Sequence, residues 1–218
     1  MKRVPENELM LSRKQALAYA SADFSDSNQL FVKNIISQVS IPKDFKILDV
    51  GCGDGEIPIM LFRKTLCHIT ALDGSPEMLK QFQIKLNKNQ ISSIQLINSI
   101  FNRNLFLPKS FDVLISNSVL HHVSDPVDFW SNLINITKRH GKIFVMDLIR
   151  PSNEVHLQDI LDRYAGDDPV LYMDFKNSLK AAYTTKEVEE HLLSFSNISY
   201  NIKTISDRHF FVTIDIEK

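Results

Sequence analysis

Runs of apolar residues alternate with amphipathic stretches along the chain, and most runs end at a turn or capping signal. Residues 27–39 carry apolar side chains at helical spacing, and Pro42 closes this first helix. The stretch FKILDV, residues 45–50, is typical of a buried strand, and the amphipathic run after it predicts a helix at about 56–64. Strands and helices continue to alternate further along the chain.

Later strands and helix starts follow the same pattern. Side chains that can cap a helix predict helix starts at Ser75, Asp125 and Thr184, the last with a glutamate three residues later. The helix after Asp125 is predicted to end at Gly141, because glycine is common just past helix ends. Further strands are predicted from the apolar runs CHITALD, IQLINS, FDVLIS and KIFVMDL, and the tail 198–218 predicts two strands joined by a polar turn.

The alternation of strands and helices predicts an α/β fold with a doubly wound, mostly parallel sheet and an antiparallel C-terminal hairpin. The chain has 218 residues, of which 44% are hydrophobic and 23% are charged. These values suit one compact domain with a sizeable core. We therefore predict a single domain over residues 1–218, with N-terminal helices at about 8–40 and a helical insertion at about 150–183.

The charges are balanced, with 25 lysines and arginines against 26 aspartates and glutamates. No net field therefore favours nucleic acid or an anionic membrane, and neither is predicted as a partner. No run of 18 uncharged apolar residues predicts a membrane span, so a cytoplasmic location is expected. Cys52 and Cys67 are the only cysteines, and we expect both to be free thiols.

A glycine-rich loop, in the stretch DVGCGDGE, follows the first strand. Its glycines, Gly51, Gly53 and Gly55, allow a tight turn and the close approach of a ligand at the carboxyl end of the strand. Asp73 ends the next strand, where a carboxylate can accept both hydroxyls of a ribose, so the two features predict a nucleoside ligand. A dinucleotide pattern would have glycine where Glu56 stands, and no Walker pattern for a nucleoside triphosphate is present.

Three stretches of the sequence, LDVGCGDG, ALDGSPEML and FDVLISNSVLHHV, together resemble class I S-adenosylmethionine-dependent methyltransferases. The resemblance is to the small-molecule group in particular, which includes the ubiquinone and menaquinone methyltransferases. It is strong from about residue 45 to 148 and implies a Rossmann-like fold. It also implies S-adenosyl-L-methionine as the cofactor and a small molecule as the methyl acceptor.

The resemblance further implies where parts of the cofactor bind. Gly51 and Gly53 would lie against its methionine part, and Asp73 would hold the ribose. Met78 would pack near the adenine, and Asn117, just past the fourth strand, would lie where cofactor and acceptor meet.

One feature departs from the family pattern, because the acidic residue that the family often has after the third strand is missing. Ser99 or a backbone group near Ile100 would replace it at the adenine amino group. Asp49, inside the first strand, is expected to fix the glycine loop through backbone hydrogen bonds. The predicted cofactor-binding residues are Asp49, Gly51, Cys52, Gly53, Gly55, Asp73, Gly74, Met78, Ser99, Ile100 and Asn117.

His121 and His122 follow the fourth strand at the predicted edge of the cleft and are the candidate catalytic residues. Histidine titrates near neutral pH, so one ring could take a proton from a hydroxyl or thiol of the acceptor. Because neighbouring side chains point in different directions, at most one is expected to act as a base; the alternative is that both pack or cap the loop. No motif with metal-ligand spacing is present, so no metal is predicted.

Residues 150–183 are too long for a simple connection and are predicted to form two short helices that cover the cleft as a lid. Tyr164, Tyr172, Phe175 and Tyr183 could line an apolar acceptor chamber or belong to the core. The sequence leaves two functions open: methyl transfer to a small molecule, and a regulatory module that binds S-adenosylmethionine without transfer. Methylation of a protein or RNA is disfavoured by the balanced charge.

Overall fold

The computed structural model of the protein describes residues 1–6 and 10–217, and its largest element is a sheet of seven strands. The strands are β1 (Lys46–Val50), β2 (His68–Asp73), β3 (Ile94–Asn98), β4 (Phe111–Asn117), β5 (Thr137–Leu148), β6 (Ile198–Thr204) and β7 (His209–Ile216).

The strands lie in the order β3-β2-β1-β4-β5-β7-β6. Strands β1 to β5 pair in parallel, whereas β7 pairs antiparallel with both β5 and β6. The predicted α/β fold with a mostly parallel sheet and an antiparallel C-terminal hairpin is confirmed. The strand order reverses between β1 and β4, and ligands of such sheets bind in the crevice at this switch point.

Eight α-helices occur in the described part of the chain. They are α1 (Arg13–Ser21), α2 (Ser25–Gln38), α3 (Glu56–Thr65), α4 (Pro76–Asn89), α5 (Pro126–Ile136), α6 (Glu154–Tyr164), α7 (Pro169–Ala181) and α8 (Thr185–Leu192). Two of them, α1 and α2, lie within the predicted helical region at about 8–40, of which residues 8 and 9 lie outside the described residues. None of the described helices combines the length and the apolar character that crossing a membrane requires.

The predicted helix caps are present. The side chain of Ser75 accepts a hydrogen bond from the backbone N–H of Met78, which fixes the start of α4. Thr184 and Glu187 form both halves of a capping box at the start of α8. Asp125 likewise caps α5, so the local sequence determines where these three helices begin.

The predicted end of α5 at Gly141 is wrong, because the helix ends at Ile136 and β5 begins at Thr137. The pairing of β5 with β4 shifts register in this region, and Gly141 lies inside the irregular part of the strand. A Cβ on Gly141 would lie 2.6 Å from Cγ2 of Thr137 and 2.8 Å from the carbonyl oxygen of Asp112. This glycine therefore permits a close approach between strands and does not cap a helix.

Two apolar clusters cover the two faces of the sheet. Leu48 and Trp130 belong to one cluster, formed with α5, α8, β6 and β7. Ile47, Phe31 and Phe82 belong to the other, formed with α2, α3 and α4. Successive residues of β1 thus face opposite clusters, as the alternation of side chains along a strand requires. Both faces are covered, so the loops at the strand ends remain for ligand binding.

Helices α6 and α7 lie in the predicted insertion and form a third apolar cluster with Leu148 at the end of β5. Tyr172 and Phe175 pack against this cluster, whereas Tyr183 belongs to the core beneath α5 and α8. Tyr164 is 43% exposed, and its hydroxyl donates to Asp207. The four aromatic residues thus have three different surroundings, and the core alternative holds for Tyr183.

Candidate functional site

Loops after β1, β2 and β4 meet at one edge of the sheet. Strand β1 pairs with β2 on one side and with β4 on the other, so that Asp49 is in register with both Ala71 and Ile115. The glycine loop after β1 therefore lies between Asp73, the last residue of β2, and Asn117, the last residue of β4. Residues predicted from separate motifs are thus brought to the same edge.

Two glycines of the loop are required by their neighbours as well as by the backbone. Gly51 and Gly55 have positive φ angles of +77° and +85°. A Cβ on Gly51 would lie 2.1 Å from Cγ2 of Val119, in the loop after β4. A Cβ on Gly55 would lie 2.0 Å from the ring of Phe82 in α4. Gly51 thus lets two loops of the crevice meet, whereas Gly55 serves the packing of α3 against α4.

Strand β2 holds the glycine loop in place. The backbone N–H of Gly51 donates to the carbonyl oxygen of Leu72 at 2.8 Å. The backbone N–H of Gly53 donates to Oδ2 of Asp73, also at 2.8 Å. Asp49 was predicted to fix the glycine loop through backbone hydrogen bonds, but Leu72 and Asp73 accept these hydrogen bonds instead.

The Asp73 carboxylate has a second backbone partner, because its Oδ1 accepts the N–H of Ser75 at 2.8 Å. Burial raises the pKa of Asp73, while the hydrogen bonds from Ser75 and Gly53 oppose that rise. An ionised carboxylate offers about four lone-pair positions, so both oxygens can still accept hydrogen bonds from a ligand. The binding of a ribose by Asp73 remains a prediction that this geometry permits.

A cavity of about 410 Å³ opens beside the glycine loop. The predicted residues Asp49, Gly51, Cys52, Gly53 and Asn117 line one wall. The opposite wall comes from α1, α2 and the turn between them, through Tyr19, Ala20, Ala22, Asp23, Phe24, Ser25, Asn28 and Gln29. Sequence reasoning missed this second wall, because no motif marks these residues and only the folding of α1 and α2 over the crevice brings them there.

Carboxylates dominate the charge around the cavity, because the described residues that line it include Asp23, Asp49, Asp54 and Glu56 but only one lysine, Lys85. The Lys85 ammonium donates to Oδ2 of Asp54 at 2.6 Å and also pairs with Glu56. Burial, and then a neighbouring carboxylate, raises the pKa of Asp49 well above its usual range. A cation entering the cavity would stabilise these carboxylates in their charged form, so the cavity suits a cationic ligand.

Several predicted cofactor-binding residues lie beside Asp73 and do not line this cavity. The backbone N–H of Ser99 donates to the carbonyl oxygen of Asp73 at 3.0 Å, and the Ile100 side chain is 64% exposed. Met78 is buried, and its Cε would lie 3.3 Å from a Cβ on Gly53. These residues and Gly74 surround the end of β2, where a ligand that reaches Asp73 would also meet them.

The two candidate catalytic residues lie on a short 3₁₀ turn, Leu120–His122, after β4. The His121 ring is buried, and its Nδ1 lies 2.6 Å from Oδ1 of Asp147, at the end of β5. The ring centroids of His121 and His122 are 4.0 Å apart. The expectation that the two side chains point in different directions is wrong, because the 3₁₀ turn places both rings on the same side.

The environment of the pair keeps His122 neutral. Burial, and then the neighbouring His121, lowers the pKa of His122 to about 3. Burial raises the pKa of Asp147, but His121 more than offsets this effect, so the pKa of that carboxyl is lowered. Among the described residues, the buried atoms His121 Nε2 and His122 Nδ1 have no hydrogen-bond partner. Asp147 was not singled out in the sequence, since only the parallel pairing of β4 and β5 brings it to His121.

Sequence comparison places the chain among known proteins. A family model described as a methyltransferase domain matches residues 48–145. The ubiquinone biosynthesis O-methyltransferase of Xylella fastidiosa (strain 9a5c) is 30% identical over 105 residues, which cover 48% of this chain and 42% of that protein. The ribosomal RNA small subunit methyltransferase C of Marinomonas sp. (strain MWYL1) is 31% identical over 153 residues, which cover 67% of this chain and 41% of that protein. The chain thus spans less than half the length of these curated relatives.

Solved structures share the fold over nearly the whole chain. A SAM-dependent methyltransferase from Aquifex aeolicus has a TM-score of 0.70 and 17% identity, covering 94% of this chain and 98% of that one. The plantazolicin methyltransferase BpumL, solved with a pentazolic desmethylPZN analog and SAH, has a TM-score of 0.73 and 16% identity. The match covers 94% of this chain and 91% of that one. Together with the methyltransferase-domain match over residues 48–145 and the curated relatives, this shared fold confirms the predicted resemblance to the class I methyltransferases, whose cofactor is S-adenosyl-L-methionine.

Proposed function

We propose that this chain is an enzyme that transfers the methyl group of S-adenosyl-L-methionine to a small-molecule acceptor. The observation that carries the proposal is the cavity of about 410 Å³ between the glycine loop and helices α1 and α2, with its excess of carboxylates. A small acceptor also agrees with the balanced charge of the chain, which provides no general attraction for a polyanion.

The residues of the cavity fit the cofactor. S-adenosylmethionine carries an ammonium and a sulfonium group, and both positive charges are complementary to the lining carboxylates. The buried Oδ1 of Asn117, which has no hydrogen-bond partner among the described residues, offers a further acceptor in the same cavity. Asp73 has lone pairs left for the ribose hydroxyls. We therefore assign Asp49, Asp73 and Asn117 to cofactor binding.

In the proposed reaction the acceptor atom forms a bond to the methyl carbon, the carbon–sulfur bond breaks, and the sulfur keeps its electron pair. The chain's own part is to align the acceptor with the methyl group and to exclude water. An acceptor hydroxyl or thiol must also lose its proton. We assign the handling of this proton to one ring of the pair, His121, which Asp147 holds in one orientation, because a pKa of about 3 makes His122 a poor base.

Label transfer tests the proposal directly. The full chain is incubated with S-adenosylmethionine labelled in its methyl group and with a cell extract separated into metabolites, protein and ribonuclease-sensitive RNA. We expect label in the metabolite fraction with the wild type and much less with Asp73→Ala, which removes the ribose ligand. Asp159→Ala, which changes an exposed carboxylate on α6, is the matched control and should transfer normally.

Other outcomes would replace the proposal. Label confined to ribonuclease-sensitive material would make RNA the acceptor, the class of substrate named for the Marinomonas relative. Cofactor binding without transfer to any fraction would favour the alternative of a binding module. The cytoplasmic location expected from the sequence stays a prediction.

A further inference from the structure

Three side chains converge in a cluster that is distinct from the cofactor cavity. Glu6 lies close to His121 and His122, and one potential ligand atom from each of the three residues lies within 4.8 Å of the other two. Oε2 of Glu6 is 4.0 Å from Nδ1 of His122. None of these residues lines the cavity beside the glycine loop.

The histidines offer lone pairs to this cluster. In a neutral His121 ring whose Nδ1–H donates to the Asp147 carboxylate, Nε2 carries a lone pair. This Nε2 and the Nδ1 of His122 are both buried, and neither has a hydrogen-bond partner in the described part of the chain. Two buried, unpaired nitrogen atoms beside a carboxylate are costly unless a ligand satisfies them.

The approach of Glu6 is a fixed feature of the fold. The Arg3 guanidinium donates to the carbonyl oxygens of His121 at 2.8 Å and Ala181 at 2.6 Å, and lies 4.0 Å from the centre of the Tyr183 ring. The backbone N–H of Val4 donates to the carbonyl oxygen of Lys180 at 3.0 Å. Residues 1–6 are thus tied to α7 and to the histidine turn itself.

Other contacts orient the three potential ligands. The hydroxyl of Ser178 in α7 donates to Oε2 of Glu6 at 3.2 Å. Oδ2 of Asp147 also accepts the backbone N–H of His121 at 3.2 Å, so this one carboxylate fixes both the ring and the turn. A carboxylate that hydrogen-bonds the far nitrogen of a histidine is the usual partner of a metal-bound imidazole.

We propose that Glu6, His121 and His122 bind a divalent first-row transition metal ion of the zinc class. Two ligands on one ion lie at most about 4.2 Å apart, twice the usual bond length, so small side-chain rotations would bring the three atoms into range. Two imidazoles and one carboxylate favour such an ion over magnesium or calcium, which prefer oxygen ligands. No local motif predicts this metal site, because Glu6 is distant in sequence from the histidines.

Three protein ligands leave at least one coordination position open, as in catalytic zinc sites. A hydroxyl or thiol bound there would have a lowered pKa and would release its proton to water more readily. This link to catalysis rests on the proposed methyl transfer, whereas metal binding rests on the three side chains alone. Because both rings would then be ligands, the ion would take over the role proposed above for a histidine base.

Cobalt(II) is the probe, because its visible absorption reports the coordination of the ion. Tag-free full chain is freed of metal with a chelator, the chelator is removed, and cobalt(II) and zinc(II) are titrated without cofactor. We expect one ion per chain for both metals. His122→Ala should abolish the cobalt spectrum, and Glu6→Gln should weaken binding at least about tenfold. His68→Ala, which removes an exposed histidine at the start of β2, is the control and should bind like the wild type.

A further variant separates metal ligation from a structural role. Asp147→Asn keeps the shape of the side chain that orients His121, and it should weaken cobalt binding by about 10- to 100-fold in a folded protein. Folding is checked by circular dichroism and by calorimetric binding of S-adenosylhomocysteine. A folded wild type that binds no stoichiometric cobalt, or a cobalt spectrum unchanged in His122→Ala, overturns the metal site. A folded wild type that does not bind S-adenosylhomocysteine would instead contradict the proposed function and leave the metal site untouched.

Discussion

At the scale of single residues, Asp73 has a structural role, and the proposed ribose-binding role would fall on the same carboxylate. Its two oxygens accept the backbone N–H groups of Gly53 and Ser75, and the residue ends β2 at the edge of the sheet where the glycine loop lies. The residue thereby connects the shape of the glycine loop to the place where a ribose would bind. A substitution at this position should affect the ligand more than the fold, since the loop keeps its hydrogen bonds to Leu72.

We expect Asp73→Ala to weaken the binding of S-adenosylhomocysteine by about 2 kcal/mol, or roughly 30-fold in Kd, because charge-assisted hydrogen bonds to the ribose are lost. Isothermal titration calorimetry measures the change, with Asp159→Ala as the control. An unchanged Kd in a folded Asp73→Ala protein would place the ribose elsewhere.

Gly51 offers a purely steric test. A Cβ would clash with Val119, and the φ angle of +77° is unfavourable for any residue with a Cβ. We expect Gly51→Ala to lower the free energy of unfolding by about 2 to 4 kcal/mol, as measured by denaturant unfolding. Adding Val119→Ala should recover part of the loss, with a coupling energy of about 0.5 to 3 kcal/mol. Additive effects of the two substitutions would show that Val119 moves aside at no cost.

At the scale of elements, α1 determines whether the cofactor cavity has a second wall. Ala16 is the one buried residue of this helix, which packs against α4 and α7. Just before the helix, the Ser75 hydroxyl donates a hydrogen bond to the carbonyl oxygen of Met10. Near its end, the rings of Tyr19 and Phe24 are in contact, with centroids 4.6 Å apart. Weakly packed elements open locally, and a ligand that bridges them to the core closes them.

We expect hydrogen exchange in α1 to slow when S-adenosylhomocysteine binds, by up to about 100-fold at a ligand concentration of about 100 times Kd. Helix α8 lies outside the cavity and is the internal control for effects unrelated to the site. Mass spectrometry of the exchanged peptides measures both helices in one experiment. Unchanged exchange in α1 at saturating ligand would mean that this helix does not close over the cofactor.

At the scale of the whole molecule, buried histidines make stability depend on pH. Burial, and then the charge of Arg208, lowers the pKa of His209 to about 4, while Asp147 and Asp207 act in the opposite direction. An unfolded chain takes up a proton on this histidine near pH 6.5, whereas the folded chain does so only near pH 4. The stabilising contribution of the neutral ring is therefore complete above about pH 6.5 and declines as the pH falls.

We expect the free energy of unfolding to fall by about 1 to 2 kcal/mol between pH 7.5 and pH 5 on account of His209 alone. The variant His209→Gln, whose side chain can still hydrogen-bond Ser206, should lack this part of the dependence. Urea unfolding of both proteins at a series of pH values measures the difference. Parallel curves for the two proteins would show that His209 titrates alike in the folded and unfolded chains.

The sequence by itself determined the features that rest on local physics. Alternating apolar runs specified the parallel strands, and short-range capping hydrogen bonds specified where α4, α5 and α8 begin. The glycine loop and Asp73 could be predicted because parallel strands bring their carboxyl ends to one edge. Gly141 was misassigned because a glycine that permits close strand packing has the same local sequence signal as a helix cap.

Only the tertiary structure decided which distant residues meet. The second wall of the cavity comes from α1 and α2, and the partners of the histidine pair are Asp147 from β5 and Glu6 from the start of the chain. Contacts of this kind depend on long-range packing and leave no periodic or spaced pattern in the sequence. For that reason the sequence could identify the loops to which we assign cofactor binding, whereas the cluster around the two histidines emerged only from the fold.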